Sequence, residues 1–349
     1  MNLKTRTSLL ALTGALLVTC IHADPLLRHS EISPLVSKRL LTSLASVGNE
    51  TLIAVGQRGH VLVSSRDGSD WSQSSVPVSS DLTAVQFVDD KHGFAVGHDG
   101  VILGSDDGGV NWRLLLDGKS ANALVLKQLK QKEGGSNKQL LAEAQRNVDA
   151  GPDKPWLDLY FSSPKRGFVV GAYNLILETQ DGGQSWSSWY DRSDNSEKLL
   201  NLYGIREHKR KIYAVGEAGL VMRLDQSRQR FVRLHAGYAG SFFGLLDAGE
   251  SLIAYGMRGQ VRSTRDEGKT WQQIPTGLPS TITAAARSAD GRIWLADQLG
   301  NVSVSHDRGQ SFLSMKPKAG IPVASMIATK NTLVFAGPRG MQSLPFPKD

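Results

Sequence analysis

The stretch "GFAVGHDGVILGSDDGGVNW", residues 93–112, contains a pattern that recurs along the chain. An apolar run ending in glycine leads through a short turn into a second apolar run, and an acidic, glycine-rich turn then precedes a tryptophan. Aligning the glycine that ends the first run gives seven copies, at Gly56, Gly97, Gly171, Gly216, Gly256, Asp297 and Gly337. Their successive spacings are 41, 74, 45, 40, 41 and 40 residues, so a repeat of one length organises the sequence and one interval carries an insertion.

Each copy predicts a small antiparallel sheet. Two apolar runs are joined by a turn rich in glycine, a third run follows the acidic turn, and a fourth run such as "LTAVQFV" lies upstream. Four strands in such a repeat is the size of one propeller blade, and seven blades close into a ring. The sequence therefore predicts an all-β fold, a seven-bladed β-propeller of four-stranded blades, and favours it over a β-sandwich or an open solenoid.

The two ends of the chain suggest how the ring closes. The seventh copy stops at "GMQSLPFPKD", after its third strand, so one outer strand is missing. The segment "PLLRHSEIS" near the amino terminus has a suitable length. We expect residues 26–33 to form this strand, because pairing with blade seven would protect an open sheet edge.

Residues 1–23 have the order of a secretory signal peptide. Lys4 and Arg6 precede the apolar run "SLLALTGALLV", and a small residue, Ala23, ends the segment. Cys20 also resembles a lipoprotein cleavage site, but Thr19 before it is bulkier than usual, so cleavage after Ala23 is favoured over lipid anchoring. We predict a periplasmic protein whose residues 24–349 form the propeller, with no cysteine left for a disulfide or a thiol nucleophile.

The long interval between copies two and three predicts a helical insertion. The segments "SANALVLKQLKQ" and "KQLLAEAQRNV" have apolar residues at helical spacing, and "EGGSN" between them is a turn. Residues 117–155 are therefore expected to form a helical hairpin between blades two and three. Two interpretations of the hairpin remain open: it covers a mouth of the propeller, or it is an arm that docks a partner.

The acidic turn "SDDGGVNW" is matched by "TQDGGQSW" at 179–186, "TRDEGKTW" at 264–271 and "SHDRGQSF" at 305–312. This pattern resembles the Asp-box, also called the bacterial neuraminidase repeat. We expect the carboxylate to accept backbone N–H bonds, the glycine to take a conformation unfavourable for other residues, and the aromatic ring to pack against the blade. The predicted structural residues are Asp107, Gly109, Trp112, Asp181, Gly183, Trp186, Asp266, Gly268, Trp271, Asp307, Gly309 and Phe312. Because equivalent carboxylates a blade apart do not form one active site, we predict no catalytic residue, no metal site and no cofactor.

The combined unit resembles the photosystem II stability and assembly factor family of seven-bladed propellers, over roughly residues 40–345. The resemblance implies a non-catalytic role in assembling a membrane complex. The helical insertion and the degraded fourth copy depart from the family, and nothing in the sequence indicates photosynthesis, so a non-photosynthetic bacterial member with a different client is expected. Asp-boxes also occur in sialidases, but the arginine motif of those enzymes is missing, and Asp81, Asp158 and Glu217 show no convincing pairing for glycoside hydrolysis.

A partner is expected on the face opposite the Asp-boxes. The turn after each apolar run lies there, and it presents Arg58, Tyr173, Arg258 and Arg339 as candidate partner-binding residues. The formal charge of +7 is spread along the chain without a block of lysines or arginines, which argues against nucleic acid. We predict a monomer without a membrane span that binds a protein complex of the cell envelope, a membrane transporter being one candidate. The alternatives are a propeller that binds a glycan or small molecule in its central channel and a sialidase-like glycoside hydrolase.

Overall fold

The computed structural model describes residues 24–48, 51–64, 68, 70–132, 137–316 and 319–346. The predicted signal segment 1–23, with Cys20, lies outside these residues. The first three sheets are β1–β4 (Leu41–Val47, Thr51–Gly56, Val61–Ser64, Trp71–Gln73), β5–β8 (Leu82–Phe87, Gly93–Gly97, Ile102–Ser105, Arg113–Leu116) and β9–β12 (Trp156–Phe161, Gly167–Gly171, Ile176–Thr179, Ser187–Ser188). The next three are β13–β16 (Leu202–His208, Lys211–Gly216, Val221–Asp225, Arg230–Leu234), β17–β20 (Phe242–Asp247, Leu252–Gly256, Val261–Thr264, Gln272–Gln273) and β21–β24 (Ile282–Arg287, Ile293–Asp297, Val302–Ser305, Leu313–Ser314). The seventh sheet is β25–β27 (Ser325–Ala328, Thr332–Gly337, Gly340–Pro345), and two helices, α1 (Gly118–Lys130) and α2 (Lys138–Ala150), lie in the chain between β8 and β9.

These sheets are the blades of the predicted propeller, so the fold class is confirmed. In every blade the strands follow one another in sequence order and pair antiparallel. The second strands are almost entirely buried, as in β6 and β10, because neighbouring blades pack on both of their faces. This burial explains why these strands are continuous apolar runs in the sequence instead of alternating patterns.

The antiparallel order gives the ring two different faces. The turns between second and third strands and the links between blades lie on one face, which we call the turn face. The turns between first and second strands and the Asp-box turns lie on the other, which we call the box face. The first strands of all seven blades line a central channel between the two faces.

The predicted amino-terminal strand is wrong. Residues 26–33 contain a single 3₁₀ turn, Pro25–Leu27, and no strand, and blade seven keeps three strands. The segment lies on blade one instead. Ser30 N donates to Val76 O at 2.9 Å, and the Gln73 side chain accepts from Ser33 N and donates to Glu31 O, each at 2.9 Å. These bonds to β4 and to the link that follows it satisfy backbone groups that a strand on blade seven would have used.

Ring closure depends on packing between blades seven and one. Val36, in the segment that enters β1, is buried in a cluster with residues of both blades, and Leu44 N donates to Ser325 Oγ at 3.1 Å. The backbone of Ser37 lies against Gly340, where a Cβ would come within 2.2 Å of the Ser37 carbonyl oxygen. Residues 35–40 therefore occupy, between blades seven and one, the place that the inter-blade links occupy elsewhere.

The helical hairpin is present, but it lies at the perimeter. Asn122 Nδ2 donates to Asn147 O at 2.9 Å and to Gly151 O at 2.8 Å, which joins α1 to the end of α2. The Gln128 side chain donates to Trp186 O at 3.2 Å and accepts from Ser188 N at 2.7 Å, so α1 covers the outer strand of blade three. The helices contribute no residue to the channel lining, so this lining gives no support to the interpretation that they cover its mouth.

Candidate functional site: the rim of the turn face

The Asp-box turns share one hydrogen-bonding pattern. In blade two, Asp107 Oδ1 accepts from Asn111 N at 2.9 Å and from Ser105 Oγ at 3.0 Å. Gly109, with φ of +88°, donates its N–H to Ser105 Oγ at 2.9 Å, and Trp112 Nε1 donates to Gly109 O at 3.0 Å. The carboxylate thus bridges both ends of the turn.

The other three boxes repeat this pattern with small differences. The carboxylates of Asp181, Asp266 and Asp307 accept from the backbone N–H four residues later, at 2.9, 2.9 and 3.0 Å. Gly183, Gly268 and Gly309 donate to the hydroxyl at the start of the turn, and Trp271 Nε1 donates to Gly268 O at 3.2 Å. Trp186 differs because its buried Nε1 has no partner in the described residues, and Phe312 has no N–H to donate.

Removing the Asp107 carboxylate tests the structural role of the box. We expect Asp107→Ala to lower the free energy of unfolding by about 1–2 kcal/mol, because backbone and hydroxyl donors lose their acceptor. Asp106→Ala is the matched control: Asp106 only pairs with exposed Arg113 at 3.1 Å, and such pairs contribute little. Chemical denaturation measures both. Loss of partner binding by Asp107→Ala at unchanged stability would contradict the structural assignment.

The boxes also predict an acid-sensitive stability. Hydrogen bonds from the Thr270 hydroxyl and backbone lower the pKa of Asp266 to about 2. Burial raises the pKa of Asp307, but hydrogen bonds from Ser311 outweigh it and bring the pKa to about 2. Because these folded pKa values lie below the unfolded value of about 4, the stabilisation is complete above pH ~4 and is lost as the pH falls towards ~2. The free energy of unfolding, measured by chemical denaturation between pH 6 and pH ~2, should therefore change less steeply with pH for an Asp266→Asn, Asp307→Asn double variant than for the natural chain. Equal slopes for the two proteins would contradict this prediction.

The predicted partner-binding residues all lie on the turn face. Arg58, Tyr173 and Arg258 occupy the middle of the turn between second and third strands, with φ of 55°, 52° and 56°. This left-handed conformation normally favours glycine or asparagine, and it costs another residue roughly 1–2 kcal/mol. Tyr173 is 47% exposed, and Lys154 Nζ lies 5.2 Å from the centre of its ring. Asp99 and Ala218 take the same conformation at the equivalent turns of blades two and four, so the conformation belongs to the turn and only the exposed side chain differs between blades.

The rim is most basic where blades seven and one meet. Arg339 lies in the turn between β26 and β27, next to the turn of Arg58 around the ring. Lys38 Cα lies against Gly340, and Arg39 follows it, both with exposed side chains. Burial lowers the pKa of His60, and the charges of Arg58 and Arg39 lower it further. Lys38 and Arg39 are not among the residues predicted from the sequence, although two adjacent basic residues in "SKRL" just before the first strand were a visible signal.

The rim is not a single cluster. Arg258 belongs to blade five and Tyr173 to blade three, so only Arg58 and Arg339 lie on neighbouring blades, blades one and seven. Within the described part of the chain, none of the three rim arginines forms an ion pair with a carboxylate. Their charges are therefore available to an acidic partner.

The carboxylates considered for hydrolysis already have structural partners. Asp81 Oδ1 accepts from Arg58 N at 2.7 Å, and Asp158 Oδ2 accepts from Ile205 N at 2.8 Å. Glu217 Oε2 accepts from Asn201 N at 2.8 Å. The three lie in different links or strands, and no two of them share a hydrogen-bond partner in the described residues.

The central channel is lined by groups that join the blades. Thr42, Thr83 and Thr283 hydroxyls donate to backbone carbonyls of the next blade, at 2.6, 2.7 and 2.5 Å. Burial raises the pKa of Asp158, whose carboxylate faces Arg206 at 3.9 Å. These contacts join neighbouring blades and stabilise the ring.

Across the described ranges, no group of three or more histidine, cysteine or acidic side chains is arranged to hold a metal ion. In the same residues, neither helix has the length and apolar character needed to cross a bilayer.

Comparison with known proteins gives consistent relatives. The family described as Photosynthesis system II assembly factor YCF48 matches residues 42–133 and 138–338. The Photosystem II assembly lipoprotein Ycf48 of Synechococcus sp. (strain CC9902) is 28% identical over 160 residues, which cover 44% of this chain and 47% of that protein. The matched part therefore spans about half the length of such curated relatives.

Solved structures of the same name share the fold. YCF48 bound to D1 peptide superposes with a TM-score of 0.64 and 15% identity, covering 89% of this chain and 94% of that one. YCF48 from Cyanidioschyzon merolae gives a TM-score of 0.65 and 14% identity, covering 92% and 99%. The resemblance predicted from the repeats is confirmed: the chain belongs to the Photosynthesis system II assembly factor YCF48 family.

Proposed function

We propose that this chain is a non-catalytic, exported propeller that binds a protein through the rim of its turn face and acts as an accessory or assembly factor for a membrane complex of the cell envelope. The observation that carries the proposal is the exposed basic surface where blades seven and one meet, formed by Lys38, Arg39, Arg58 and Arg339.

The relatives support this kind of role. They are named as assembly factors, and one of their structures is described as bound to a D1 peptide. For this chain the client is proposed to be an envelope protein with an acidic segment, and a membrane transporter is one candidate. The basic surface of Lys38, Arg39, Arg58 and Arg339 supports an acidic partner.

Location is part of the proposal. A signal peptide over residues 1–23 would place the propeller in the periplasm, and cleavage after Ala23 would release it. The curated relatives are named lipoproteins, which keeps acylation of Cys20 as the alternative. Mass spectrometry of the mature amino terminus distinguishes a chain that begins at Asp24 from one that begins at a lipidated Cys20.

Affinity capture tests the function. The tagged, full-length chain is expressed in its natural host, and membranes are solubilised in mild detergent. We expect one membrane protein complex to copurify in amounts comparable to the bait, and to be released by raised salt because exposed charges are screened. A glycan array and a fluorogenic sialoside assay test the two alternatives, glycan binding and sialidase-like hydrolysis. Saturable glycan binding or sialoside turnover without a copurifying protein would overturn the proposal.

A further inference from the structure

We propose that the outer edge of β27 in blade seven accepts an extended segment of the client as a fourth strand. This inference rests on the proposed function and names the place and manner of binding. In the six other blades a fourth strand pairs antiparallel with the third. In blade seven the third strand is β27, and among the described residues no strand pairs with its outer side.

The β27 edge is unusually long. It runs over six residues, Gly340–Pro345, whereas the outermost strands of the other blades have between two and five. Folded proteins usually keep edge strands short or cover them, because an open edge pairs readily with another chain. Its side chains Gln342 and Ser343 are exposed, and no charged residue in the strand repels an incoming partner.

Other outer strands of this chain are covered. In β16, Phe231 N donates to Arg192 O and Asp194 N donates to Phe231 O, each at 2.9 Å, so a neighbouring segment pairs with that edge. In β12, Gln128 of α1 bonds to both Trp186 and Ser188. The same chain therefore protects the edges of blades three and four and leaves β27 open over the part that the structure describes.

The backbone register shows which groups point outward. Phe346 N donates to Asn331 O at 2.8 Å, and Leu344 pairs with Leu333. Because alternate residues of an antiparallel strand bond to the same neighbour, Gln342 and Leu344 bond towards β26. Met341 and Ser343 then direct their N–H and C=O groups outward. Pro345 also lies at an outward position, where the missing N–H breaks no bond to β26.

The direction of the added strand predicts which end of the bound segment carries negative charge. β27 runs from the turn face at Gly340 to the box face at Pro345, so an antiparallel strand would end at the turn face. There it would meet Arg339, Lys38 and Arg39. The edge therefore fits a segment whose carboxyl-terminal end carries carboxylates, either acidic side chains or a free chain terminus.

A synthetic peptide tests the edge directly. The probe is a fluorescein-labelled decapeptide of alternating threonine and valine that ends in three glutamates and a free carboxyl group. We expect saturable binding by fluorescence anisotropy and protection of the Met341 and Ser343 amides from hydrogen exchange. A peptide with its glutamates at the amino end should bind at least tenfold more weakly, because its charges would lie at the box face. Absence of binding, or equal binding of the two peptides, overturns the proposal.

Substitutions in β27 distinguish binding at the strand edge from binding at the rim of the turn face. Ser343→Pro removes an outward N–H without breaking a bond to β26, and it should weaken probe binding at least tenfold. Ser343→Ala keeps the N–H and should bind normally. If Ser343→Pro binds the probe as the natural chain does, the edge proposal fails. If Ser343→Pro still captures the client and the variant with reversed rim charges does not, the proposed function stands and binding at the β27 edge is excluded. If the natural chain captures no client, the proposed function fails.

Discussion

Replacing Gly219 by alanine is expected to lower the free energy of unfolding by about 3–5 kcal/mol, near the upper end for a single substitution. Gly219 ends the turn between β14 and β15 with φ of +71°, and a Cβ there would lie 1.8 Å from the backbone carbonyl oxygen of Tyr238. The positive φ alone costs roughly 1–2 kcal/mol for alanine. The rest comes from the contact, because a backbone carbonyl in the link between blades four and five cannot rotate away as a flexible side chain could.

Gly237 provides the matched control. It has φ of +64° in the same link, and a Cβ there would meet no atom within 4 Å. Gly237→Ala should therefore show only the conformational cost, about 1–2 kcal/mol. Chemical denaturation of both variants isolates the effect of the contact. Equal losses would mean that the link moves away from Gly219 and that the blades are less tightly joined than the structure shows.

The fold could be predicted because the same pattern of residues recurs in successive copies along the chain. In most copies a glycine after the buried second strand, a turn before the third strand and a polar box before the fourth fix the blade register. At Asp297, where aspartate replaces the glycine, its carboxylate accepts from Leu299 N at 3.0 Å and Asn301 N at 2.9 Å and so stabilises a different turn. The pattern remains recognisable despite this exception, because the other six copies keep the glycine.

The ends of the chain could not be predicted in this way, because each occurs once. Nothing in "PLLRHSEIS" distinguishes an edge strand from a segment held on blade one. The choice depends on Gln73, whose side chain binds Glu31 and Ser33 across 40 residues of sequence. Such pairing between side chain and backbone leaves no periodic signal. The two helices of the hairpin were predicted from their apolar faces, but their position could not be, because the bonds from Gln128 that place them at the perimeter depend on tertiary packing.

Reversing the three rim arginines, in the triple variant Arg58→Glu, Arg258→Glu, Arg339→Glu, is expected to abolish capture of the client. Each reversal replaces attraction for an acidic partner by repulsion, and like charges facing each other at an interface cost several kcal/mol. The side chains are exposed, and the turns keep their backbone bonds, such as Arg58 N to Asp81 Oδ1 at 2.7 Å. Stability should therefore change little while binding is lost.

A charge-matched variant on the box face separates specific recognition from a change in net charge. Lys91, Lys165 and Arg308 are exposed in turns of blades two, three and six, so changing all three to glutamate lowers the net charge equally. If the turn face holds the binding site, this variant captures the client as the natural chain does. Equal loss in both variants would show that only overall charge steers the partner, and undiminished capture by the rim variant would exclude the rim arginines as its binding site. Because screening weakens exposed charges, repeating the capture at raised salt should reduce binding of the natural chain towards that of the rim variant.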